Sequence, residues 1–114
     1  MACPIMHIEL QAADLAAAAK FYRHLFGWES TEYGPEWSLF AAGKGPGGGF
    51  VREMPEGHPV VFYIEVDDIE GKLKEIEAAG GKTLHPKTRI SEEHGFYGMF
   101  ADLHGVAVGL WSRT

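Results

Sequence analysis

A chain of 114 residues with 46% hydrophobic and 12% aromatic content is long enough to bury a core, and one domain spanning 1–114 is the expectation. A net charge of -6, with ten basic residues scattered along the chain, argues against nucleic acid as a partner. Cys3 is the only cysteine, which excludes an intrachain disulfide and any CxxC motif; no basic leader and no run of ~18 apolar residues suggests secretion or a membrane span, so a cytoplasmic protein is expected.

In chain order, Ile5 to Leu10 reads as a strand, and Asp14 then opens a helix that Gly27 closes. Leu15, Ala19, Tyr22 and Phe26 fall at helical spacing between them, so one helix face should lie on a sheet. Strands are expected at Trp28 to Tyr33, Trp37 to Ala42 and Gly49 to Arg52, followed by a connection from Glu53 to Pro59 that holds two prolines and a glycine. Val60 to Val66 then starts the pattern again. Asp68 opens a second helix, with Ile69, Leu73 and Ile76 on one face, and Gly81 is expected to close it. Lys82 to Leu84 follows as a short strand, and Phe96 to Ala101 pairs with Val106 to Trp111 across the turn Asp102-Leu103-His104-Gly105. The stretch between, His85 to Gly95, is long and polar and reads as a surface loop or a lid. The two helix starts repeat at an offset of 54 residues, so the order βαβββ occurs twice, with module one at about 1–54 and module two at about 58–114.

This doubled pattern, with the phrases HIELQAADLAAAAKFYRHLFGWE, VFYIEVDDIEGKLKEIEAAGGKTL and FADLHGVAVGLW, resembles the vicinal-oxygen-chelate superfamily of glyoxalases, bleomycin resistance proteins and extradiol dioxygenases over essentially the whole chain. The resemblance extends to small bacterial glyoxalase-like proteins. It implies an α+β fold in which two βαβββ modules form an open cupped sheet, and it implies a homodimer. It does not choose among the lyases, isomerases, dioxygenases, transferases and metal-free drug binders that share the fold.

Metal-dependent members of that superfamily hold one divalent ion with His, Glu or Gln from strands one, four, five and eight. By the family spacing His7 matches the first position, whereas Val61 and Gly109 stand at two others, and the fourth-strand position falls within the glycines around Gly48 to Phe50. One matching ligand is too few to retain zinc, nickel or iron usefully, so neither a metal nor another cofactor is expected. A rearranged metal site would have to combine His7 with Glu9 or Glu65. Glutathione-using members commonly carry an arginine where Glu9 stands; the reversed charge argues against a glutathione hemithioacetal and favours neutral or cationic ligands.

Strand alternation puts Ile5, His7 and Glu9, then Val61, Tyr63 and Glu65, then Ala107, Gly109 and Trp111 on the cup face. Ligand contacts are therefore expected from His7, Glu9, Trp37, Val61, Tyr63, Glu65 and Trp111, while the aromatics equally suit filling the cup or an interface. His7, Tyr63 and Glu65 are the side chains with acid-base chemistry to offer. Gly43 to Gly48 matches GxGxxG in form only, because a dinucleotide site needs a helix to begin within it and Pro46 interrupts. Arg23, His24 and His104 read as surface residues, and Asp102 with Gly105 as a structural turn. The expected function is the binding of a small organic molecule in the cup. The alternatives are a metal-dependent lyase, isomerase or dioxygenase with a rearranged site, a drug-sequestering resistance-type protein, and an interaction module whose cup is filled.

Overall fold

The structure, a computed structural model, describes residues 2–114. Eight strands and two helices form an α+β fold in the order β1 (Ile5–Gln11), α1 (Leu15–Phe26), β2 (Glu29–Glu32), β3 (Trp37–Ala41), β4 (Gly47–Val51), β5 (Val60–Glu65), α2 (Ile69–Ala78), β6 (Lys82–Ser91), β7 (Gly95–Ala101) and β8 (Ala107–Ser112). The doubled βαβββ order is the one read from the sequence. The chain divides into two compact units, Met6–Val61 and Phe62–Thr114, the second including residues 2–5. Among the described residues no helix is long and apolar enough to cross a membrane.

In the first unit β1 and β4 are parallel neighbours, and β3 and then β2 continue the ladder antiparallel. Asp14 caps α1 by accepting a hydrogen bond from the Ala17 amide at 3.0 Å, and Gly27 ends it in the left-handed region at φ 72°. The core beneath α1 is aromatic. Tyr22 stacks on Trp28 with ring centroids 4.9 Å apart, Trp28 stacks on Phe40 at 4.5 Å, and Phe50 is fully buried beside Phe40. Gly48 permits this packing: a β-carbon there would meet the Ile8 carbonyl oxygen and the end of the Phe40 ring.

In the second unit β5 and β8 are parallel, and β7 and β6 follow antiparallel. Asp68 caps α2 by accepting from the Gly71 amide at 3.0 Å. The core is mostly aliphatic: Val66, Ile69, Leu73 and Leu110 are buried, with Ile64, Ile76, Phe96 and Phe100 packed against them.

Two sequence expectations change. The left-handed residue that follows α2 is Gly80, at φ 103°, and not Gly81; the next amide, that of Gly81, reaches back to the Ile76 carbonyl at 2.9 Å. The polar stretch expected as a surface loop or a lid is largely strand. β6 runs to Ser91 and only residues 92–94 turn. Its pairing with β7 shifts register three times, between Thr83 and His85, His85 and Thr88, and Arg89 and Ser91, which erases the period of two that would have marked a strand.

Candidate functional site

Register decides which side chains share a face. Along β1 and β4, His7 lies beside Gly47 and Glu9 beside Gly49, and β3 adds Leu39 opposite Gly49 and Trp37 opposite Val51. One face of the first unit therefore carries His7, Glu9, Leu39 and Trp37. The fourth-strand position left open by the sequence resolves to Gly49, since a β-carbon placed there would lie 3.6 Å from His7 Nε2.

The His7 ring occupies the side of β4 that a side chain at Gly49 would share. Its Nε2 donates to Glu9 Oε2 at 3.3 Å, with both side chains about 20% exposed. The bond joins residues two apart on one strand, which alternation makes neighbours on the same face. A proton on Nε2 leaves Nδ1 as the basic nitrogen, the arrangement by which a carboxylate orients an imidazole for proton transfer. Trp37 stacks on Tyr33 at 4.9 Å on the same side of the sheet.

In the second unit Tyr63 pairs with Gly109, and Glu65 with Trp111. Tyr63 is buried and its ring fills the space above Gly109, where a β-carbon would collide with it. Trp111 Nε1 donates to the His94 carbonyl at 2.7 Å, and the Arg113 guanidinium sits over the indole at 5.0 Å. Glu65 is exposed, and Val61 is buried at 1% exposure. Ser91 Oγ lies 3.1 Å from His94 Nδ1, while Glu93 approaches His94 Nε2 at 3.6 Å.

The sequence reading missed a third polar pair. Tyr97, opposite Trp111 in the β7–β8 ladder, brings its hydroxyl to 3.0 Å from His85 Nε2, and Thr88 Oγ1 lies 3.4 Å from His85 Nδ1. Alternation along β7 could have put Tyr97 on the face of Met99 and Ala101, but His85 was unreadable once its strand was taken for a loop.

The metal of the superfamily can be tested against these residues. His7 and Glu9 offer two donors already bonded to each other; Gly49, Val61 and Gly109 offer none. Among the described residues no three His, Cys, Asp or Glu side chains come together in a way that could hold an ion. The residues present do not fit the group.

The family model described as Glyoxalase/Bleomycin resistance protein/Dioxygenase superfamily matches residues 5–110. CFP32 of Mycobacterium bovis, which carries a glyoxylase name, is 32% identical over an alignment covering 94% of this chain and 44% of its own. This chain thus spans less than half the length of that relative. A glyoxylase-like domain-containing protein of Didymella fabae is 31% identical, with 96% of this chain and 93% of its own covered. Among solved structures, the Mn(II)-bound glyoxalase from Novosphingobium aromaticivorans superposes with a TM-score of 0.71 at 18% identity, covering 96% of this chain and 38% of that one. That likeness is one of fold.

Proposed function

Because the chain belongs to the Glyoxalase/Bleomycin resistance protein/Dioxygenase superfamily, we propose that it binds a small organic molecule, neutral or cationic, on the face of β1, β4 and β3 that carries His7, Glu9 and Trp37. The observation that carries this reading is the His7–Glu9 pair, one-fifth exposed beside a strand that begins with three glycines. A carboxylate and an imidazole next to a face with no competing side chain at Gly47 or Gly49 supply a few placed polar groups on an otherwise small-residue and apolar surface, as small-molecule sites do. The negative charge of Glu9 selects against anions. No step through a metal enters this reading.

The test is a heteronuclear NMR titration with benzylamine, benzyl alcohol and benzoate. The expected outcome is saturable shifts at His7, Glu9 and Gly49 with the first two probes and none with benzoate, and loss of the preference for benzylamine in Glu9→Gln. Equal response to benzoate, or no response to any probe, would overturn the reading. Elemental analysis of the dialysed protein after loading with nickel, zinc, manganese or ferrous iron is expected to find no retained ion. About one ion per chain, lost in His7→Ala, would return the metal-dependent alternative to the front. The proposal includes a homodimer, which the exposed Phe21, Leu25 and Phe26 of α1 support and which light scattering checks.

A further inference from the structure

The first unit is hollowed on the helix side of its strands, away from the face of His7. Between α1 and the β2–β3 ladder lies a groove of about 570 Å³, within the ~300–1,000 Å³ typical of small-molecule sites. Ser30 and Ser38 line it, and they share a face because Ser30 is opposite Phe40, two residues beyond Ser38. Neither hydroxyl has a hydrogen-bond partner among the described residues, although Ser38 is 99% removed from solvent, at 1% relative exposure. A buried hydroxyl without a partner is unfavourable, and both oxygens lie just beneath the groove wall, so a ligand completes them only when the side chains above them turn aside.

The charges of the groove are sorted by element. Lys20 and Arg23 come from the helix, whereas Glu29 and Glu32 come from β2. Arg23 meets Glu29 only at 3.9 Å, with both side chains about 70% exposed, so this pair is loose enough to open around a ligand. Leu15 adds a short apolar wall. Each serine hydroxyl can both donate and accept, which matches the N–H and C=O of an amide. A carboxylate suits the arginine and an ammonium suits the glutamates.

We propose that this groove binds a small zwitterion with a central amide, of the size of a dipeptide with short side chains: its carboxylate toward Lys20 and Arg23, its ammonium toward Glu29 and Glu32, and its amide on Ser30 and Ser38. The site is independent of the reading given for His7 and Glu9, and the test keeps the two apart.

The probe is L-alanyl-L-alanine, titrated by NMR beside its N-acetyl and C-terminal amide derivatives. Saturable shifts are expected at Arg23, Ser30 and Ser38, not at His7 or Glu9, with a dissociation constant of ~1 mM or tighter. Blocking either charge is expected to weaken binding by ~10-fold. Ser38→Ala separates a ligand role from an idle hydroxyl: it removes an unsatisfied group, so its melting temperature is expected to stay level or rise while affinity for the dipeptide falls several-fold. Arg23→Gln, on an exposed position that folding does not depend on, is expected to weaken the free dipeptide but leave the amide derivative unchanged. No saturable response up to ~10 mM, a response centred on His7 and Glu9, or unchanged affinity in Ser38→Ala would each overturn the proposal.

Discussion

The two βαβββ units meet the same packing problem with different chemistry. In the second, α2 buries Ile69 and Leu73 in an aliphatic core. In the first, α1 has no buried residue, rests through its own Tyr22 on Trp28 and Phe40, and leaves Phe21, Leu25 and Phe26 exposed. The contrast holds on the opposite face as well. By the repeat, Glu9 beside Gly49 corresponds to Tyr63 beside Gly109, and His7 corresponds to Val61. One unit keeps a half-buried polar pair there, while the other covers its glycine with a buried phenol. The hollow groove lies in the unit whose helix is held less deeply, while polar pairs occur in both units.

The largest expected effect probes the helices. Ile69→Ala, at a fully buried site, is expected to lower stability in urea by ~2–5 kcal/mol, whereas Leu25→Ala on α1, compared at dilutions where the chain is monomeric, should stay within ~0.5 kcal/mol. Equal losses would erase the distinction. A smaller effect probes the glycines. Gly109→Ala is expected to cost ~1–3 kcal/mol because its methyl enters the Tyr63 ring. In a Tyr63→Ala background that cost should largely vanish, giving a coupling of ~0.5–3 kcal/mol in the double-mutant cycle. Additive losses would mean that the ring does not rest on the glycine.

The smallest effect compares hairpin turns. The β7–β8 turn is held by Asp102 Oδ1, which accepts from the His104 and Val106 amides at 2.8 and 3.0 Å, while the β3–β4 turn has no carboxylate. Those backbone bonds, Val106 first, hold the Asp102 carboxyl below its ordinary value of 3.8. Its contribution is therefore present above that value and lost as pH falls through the lower folded-state one. Urea midpoints followed into acid should show wild type losing a small advantage over Asp102→Ala below about pH 4. A constant difference across that window would exclude the linkage.

Much of this organisation was legible in residues whose chemistry is local. Asp14 and Asp68 announce their helices because an aspartate needs only the next turn of backbone to bond. His7 and Glu9 could be placed on one face from alternation alone. Features set by pairing between strands were hidden. Gly49 has no side chain to reveal its register, and the two glycines after α2 look alike until one takes positive φ. β6 looked like a loop because it is an edge strand: one side faces solvent, and its three register shifts break the alternation. Ser30 and Ser38 were invisible for another reason, since a serine in a strand carries no sign of whether its hydroxyl has found a partner.

Those interruptions in β6 also bear on how the protein behaves among copies of itself. A straight ten-residue edge would offer a row of open amides and carbonyls on which another chain could add a strand and start a fibre. Pro86 removes one donor from that row, the bulges twist the remainder out of line, and Lys87, folded over the Phe96 ring at 4.6 Å, keeps a charge close by. An irregular edge of this kind gives a neighbouring chain no continuous row to pair with, which a straightened one would supply.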